Sequence, residues 1–130
     1  MSADSGRIGF TDKADELVEE LLYSINESED SSENTRLIKK DIYRLAVCAA
    51  LQDFTSIKEE KLQTSKNYRL NEIDSDGSIL TALELIIDGY DRSNINNDFE
   101  RLANHGVTLL SEIFEKNNFL NLSQLFDDAR

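Results

Sequence analysis

The chain has 130 residues, 39% hydrophobic and 31% charged, with no proline, one cysteine and a formal net charge of −12. That length suits one domain with a single modest core, and the acidity argues against general nucleic-acid binding, which rests on attracting phosphate. No apolar run approaches the roughly 20 residues that span a bilayer, and MSADSGRIGF lacks the basic and apolar regions of a secretory leader.

Residues 1–11 read as an N-terminal arm in which RIGFT forms a short extended segment. A first helix is expected over Asp12–Ile25, because Ala14, Leu17, Val18, Leu21, Leu22 and Ile25 keep the i, i+3, i+4, i+7 spacing of one helical face. Thr11 or Asp12 supplies its cap, and Asp12, Asp15 and Glu16 suit the positive end of the helix dipole. NESEDSSEN, residues 26–34, contains no hydrophobic residue and is expected to be a mobile acidic loop.

A second helix, about Thr35–Phe54, is the expected centre of the fold. Ile38, Ile42, Leu45, Ala46 and Ala49 form one face, while Val47, Cys48, Ala50 and Leu51 extend the apolar surface nearly all round. Its first half keeps a basic stripe, Arg36, Lys40 and Arg44, stacked at i, i+4, i+8. Residues 55–75 show no sustained period and read as a connector.

A third helix is expected to start at DSDG, capped by Ser75, Asp76 or Ser78, and to run to about Tyr90. Ile79, Leu80, Ala82, Leu83, Ile86, Ile87 and Tyr90 would form its core face. The fourth has the clearest stripe: Ile95, Phe99, Leu102, Ala103, Gly106, Leu110, Ile113 and Phe114, with Asn94 as cap and Asn117 or Asn118 as stop. A glycine inside a helix costs about 1 kcal/mol relative to alanine. Gly106 on the apolar face therefore predicts close helix packing. A short fifth helix, about Leu122–Ala129, would close the domain. The expected fold is all-α, one domain over 1–130 with four to five helices.

Charge is distributed unevenly. Residues 1–35 hold two basic and ten acidic residues, 36–69 eight and four, and 70–130 four and twelve, giving −8, +4 and −8. Either the middle segment pairs with its acidic neighbours across helix contacts, or it meets an external anion or acidic partner. In the first case the acidic face of the first helix, Asp15, Glu16, Glu19 and Glu20, is the expected counterpart of the stripe.

Few residues offer chemistry. His105, the one histidine, lies about 120° from Phe99 around the fourth helix, at the edge of the apolar stripe. No carboxylate stands three or four residues from it, and zinc needs several ligands. Cys48 sits in an apolar helix without a CxxC partner, so it reads as an inert thiol, and its single occurrence fits a reducing cytoplasm. DSDGS alternates acids before a glycine, but in calcium-loop register the twelfth position falls on Leu83, so a helix-capping turn is the simpler reading. The carboxylates read as solvated, with no acid/base pair singled out. No catalytic residue, metal ligand or cofactor site is expected.

KDIYRLAVCAALQDF (40–54) and ERLANHGVTLLSEIFEK (100–116), with ILTALELI between them, resemble small helical proteins encoded beside DNA phosphorothioation (Dnd-type) systems. The resemblance rests on the central helix Asp41–Leu51 and on Ala103, Gly106, Val107 and Leu110 in an Ala-x-x-Gly-Ile/Val-x-x-Leu pattern. The family's glycine- and arginine-containing turn after the central helix is replaced here by DFTSIKEEK. The resemblance implies an accessory protein of a prokaryotic DNA-modification or anti-phage locus, with no catalytic residue to transfer.

The sequence thus supports a cytoplasmic, non-enzymatic adaptor or regulator that binds another protein, with Arg36, Lys40 and Arg44 as the candidate contact. Direct nucleic-acid binding and membrane insertion are not expected, and homo-oligomerisation is left open. Two alternatives compete: an acidic DNA mimic that occupies a nucleic-acid-binding site, and a small transcriptional regulator with a ribbon at RIGFT.

Overall fold

The structure is a computed structural model that describes residues 7–26 and 37–117. In chain order these form strand β1 (Arg7–Ile8), helix α1 (Asp12–Asn26), helix α2 (Lys39–Ala50), a 3-10 turn (Leu51–Ser56), strand β2 (Tyr68–Arg69) and one helical turn α3 (Leu70–Ile73). Helix α4 (Ser78–Ile86), a second 3-10 turn (Arg92–Asn94) and helix α5 (Ile95–Asn117) complete the described residues. The fold is all-α apart from the two-residue antiparallel pairing of β1 with β2, in which Arg7 faces Arg69 and Ile8 faces Tyr68.

The core forms where α2 meets α5. Ile42, Tyr43, Ala46, Val47 and Ala50 of α2 bury against Phe99, Leu102, Ala103, Val107 and Leu110 of α5. Gly106 makes this crossing tight, because a Cβ there would lie 1.8 Å from the Ala46 carbonyl oxygen and 2.8 Å from its Cα. The backbones themselves touch, which accounts for tolerating a poor helix former in mid-helix. Helix α1 covers the pair with Ala14, Val18 and Leu21, and Thr11 caps it by accepting from the Ala14 N–H at 3.2 Å.

Several expected boundaries move. Regular helix in α2 begins at Lys39, because Ile38 is extended (φ −118°, ψ 171°) and its N–H is taken by Asp41. After Ala50 the chain tightens into the 3-10 turn instead of continuing as α-helix to Phe54. Helix α4 ends at Ile86, four residues before Tyr90, and Ile86 is exposed rather than part of the core. Asn94 belongs to the turn before α5, and the capping side chain there is Asp91, which accepts from the Ser93 N–H. Residues 27–36 of the expected acidic loop and the start of the second helix, Asn118, and the expected helix over Leu122–Ala129 lie outside the described residues.

Candidate interaction surface

Helix α5 carries charged residues on its buried side, and these tie down the irregular parts of the chain. Glu100, 3% exposed, accepts from the Gly9 N–H at 3.1 Å, from the Thr64 hydroxyl, and from Lys66 Nζ at 2.7 and 2.8 Å. One turn on, Asn104 accepts from the Thr11 N–H at 2.8 Å, and the Tyr43 hydroxyl donates to the Gly9 carbonyl at 3.1 Å. Burial raises the Tyr43 phenol well above its ordinary range. The arm and the connector are pressed together at this point, since a Cβ on Gly9 would lie 1.4 Å from the Ser65 carbonyl oxygen. Ile8, Gly9 and Phe10 of RIGFT therefore face inward, while Arg7 stays exposed.

A second buried set lies beside it. Arg101, 4% exposed, donates to Asp98 at 2.8 Å and to the Lys58 carbonyl at 3.1 Å, and its guanidinium sits 5.1 Å from the Phe54 ring centre. The Tyr90 hydroxyl donates to the other Asp98 oxygen. The expectation that carboxylates are uniformly solvated is thus corrected at Asp98 and Glu100. Buried charge persists there because each carboxylate has both a cation and further donors.

His105 is half-buried at a cleft of about 450 Å³ between α5 and the connector, which Lys58, Glu60, Arg101 and Asn104 also line. Glu60 therefore shares a cavity with His105, a neighbour that helical spacing along α5 does not reveal. Cys48 is half-buried with its thiol raised by burial, a setting that disfavours the reactive thiolate. The DSDGS segment caps α4: the Asp74 carboxylate accepts from the Ile79 and Leu80 N–H groups at 2.9 and 3.0 Å, and Asp76 accepts from Ser78. Among the described residues no group of three or more His, Cys, Asp and Glu is placed to hold a metal ion, and no helix is long and apolar enough to cross a membrane.

The two described residues of the basic stripe, Lys40 and Arg44, are engaged inside the molecule. Lys40 pairs with Glu72 at 3.3 Å, while Arg44 donates from Nε to the Ile73 carbonyl at 2.9 Å and from Nη2 to the Glu72 carbonyl at 3.2 Å. Arg36 lies outside the described residues. The lysine that reaches the first helix is Lys39, bonded to Asp15 at 3.0 Å and Glu19 at 3.3 Å. The expected counterpart of Lys40 and Arg44 is therefore corrected to α3. Reversing their charge would disturb the closure of α3 as well as any contact with a partner.

Among the described residues the exposed large apolar side chains are Tyr23, Ile38, Leu85 and Ile86, and the last two adjoin at the end of α4. Leu85 is 82% exposed and Ile86 53%, whereas the same helix buries Ile79 and Leu83. Sequence periodicity placed Ile86 inside because it counts a helical face as buried along its full length. The helix outruns the surface it packs on. Comparison with protein-family models, curated proteins and solved structures returned no match to this chain.

Proposed function

We propose that this chain is a non-enzymatic helical adaptor or regulator that binds another protein of a prokaryotic DNA-modification or anti-phage defence system. The observation that carries the reading is the adjacent exposure of Leu85 and Ile86 at the end of a helix that Ile79 and Leu83 anchor in the core. Contiguous exposed apolar side chains mark contact sites more often than isolated ones do. The resemblance of the central and last long helices supplies the expected setting. Engagement of Lys40 and Arg44 within the fold moves the proposed contact from the basic stripe to α4.

Affinity capture from native lysate tests this, using the wild-type chain beside a Leu85→Ser/Ile86→Ser variant with an unchanged circular dichroism spectrum. A DNA-modification or defence protein retained by the wild type and released by the variant supports the adaptor. Equal retention by both, or no retained protein, removes it.

One observation favours the DNA-mimic reading as the second. Lys39, Lys40 and Lys66 are each paired inside the molecule, and of the α1 carboxylates Glu16 and Glu20 stay exposed, as does Glu19 although it shares Lys39 with Asp15. The mimic predicts that Glu16→Gln/Glu19→Gln/Glu20→Gln abolishes capture while the α4 variant retains it.

A further inference from the structure

Resting on the adaptor reading, we infer that the exposed end of α4 receives an amphipathic segment of another protein whose apolar anchors are flanked by lysine or arginine. The apolar part of the argument is Leu85 and Ile86, which stand proud of a helix held in place by Ile79 and Leu83. The rest comes from charge. Between residues 70 and 97 the chain has six acidic residues and one basic residue, Arg92, and of the acids Glu72 is paired with Lys40 of α2 while Asp74 caps α4. That one cation is already held by Glu84, with both Nη2 contacts at 3.0 Å. Asp88 and Asp91 are exposed within six residues of Leu85, and Asp88 makes no ion pair among the described residues. The anchors are therefore set in a negative field.

That field decides between occupants. A second copy docking by the same patch would form an isologous contact, bringing Asp88 and Asp91 of both copies toward one another. With a net charge of −12 on each chain, like-charge juxtaposition opposes this pairing. A partner with basic residues beside its apolar anchors gains attraction from the same groups, most strongly at low ionic strength where screening is weakest.

The test uses the full chain and two labelled synthetic helical peptides, one of leucine and lysine in amphipathic register and one with glutamate replacing every lysine. Fluorescence anisotropy is read at low and high salt. The lysine peptide is expected to bind and the glutamate peptide not. Leu85→Ser/Ile86→Ser should weaken the lysine peptide by about tenfold or more, as loss of central apolar anchors does. Asp88→Lys should weaken it several-fold at low salt and much less at high salt, with the fold unchanged by circular dichroism.

Failure of the lysine peptide to bind overturns the inference, as does equal binding of both peptides. Binding unaffected by the leucine and isoleucine changes also overturns it, because the peptide then sits elsewhere on the acidic surface. A sedimentation mass of two chains that returns to one in Leu85→Ser/Ile86→Ser makes the second copy the occupant. Any of these results alongside a lysate protein released by the α4 variant leaves the adaptor intact and rejects only the basic partner. Failure of lysate capture rejects the adaptor itself.

Discussion

Helices α5 and α4 are both rich in apolar residues, yet they are held in opposite ways. Helix α5 is fixed along its length: Glu100 and Asn104 grip the arm, Arg101 grips the connector, and Gly106 touches the backbone of α2. Helix α4 is fixed mainly around its ends, by Asp74 and Asp76 at its first turn and by Arg92 on Glu84 near its last, with Ile79 and Leu83 facing the core. An element secured through its body cannot be altered without affecting the fold. One secured around its ends is free to expose a face, and this is the face to which we assign binding.

If that contrast holds, perturbing the body of α5 has the largest effect. Gly106→Leu should cost more than about 3 kcal/mol, the top of the usual overpacking range, because its first added carbon meets backbone that cannot rotate away. Thermal or urea unfolding followed by circular dichroism reads this, and a gain in stability would contradict the crossing. Glu100→Ala comes next, at about 3 kcal/mol, since it leaves Lys66 unpaired and the buried Gly9 N–H without its acceptor. Glu100→Gln should cost less by the same assay, because an amide oxygen still accepts from Gly9.

Changes around α4 should be milder and local. Asp74→Ala removes the acceptor for two first-turn N–H groups and should cost about 1 kcal/mol. Hydrogen exchange should then quicken in α4 while α2 and α5 stay protected; uniform loss of protection would show that α4 is not separable. Smallest of all, Leu85→Ser should change stability by no more than about 0.5 kcal/mol, as expected of an exposed side chain. A larger loss would mean that Leu85 supports the core.

Much of the frame was legible in the sequence because it is written in local periodicity. The spacing of Val18 and Leu21, and of Phe99, Leu102 and Leu110, identified the buried faces of α1 and α5. Gly106 stood out because a helix-breaking residue on an apolar face needs a compensating contact. The buried charges were not legible. Glu100 and Arg101 owe their burial to partners such as Gly9, Thr64, Lys66 and Lys58, 34 to 91 residues away, and no local pattern encodes such pairings. The one hint is that Glu100 and Asn104 stand a turn apart beside the stripe. Lys39 and Lys40 show the same limit, since adjacent lysines project about 100° apart around the helix and meet different carboxylates.

The tyrosines give these two regions separate optical signatures. The chain has no tryptophan and four tyrosines, so ultraviolet absorbance and emission above the phenylalanine range come from phenols. Tyr43 lies 4.7 Å from Phe10 and 5.7 Å from Tyr68 by ring centres, where the arm meets α2, while Tyr90 joins the end of the α4 segment to Asp98 of α5. Burial raises all three phenols above their ordinary value of 10, with the Asp98 carboxylate adding to the effect at Tyr90. Because their folded values are raised, their contribution to stability is complete below pH 10 and is lost as the pH climbs through the folded values. Tyrosinate absorbance should therefore rise together with loss of the helical signal for these phenols, giving a cooperative alkaline step. Tyr90→Phe and Tyr43→Phe would separate the α4 junction from the arm within that step.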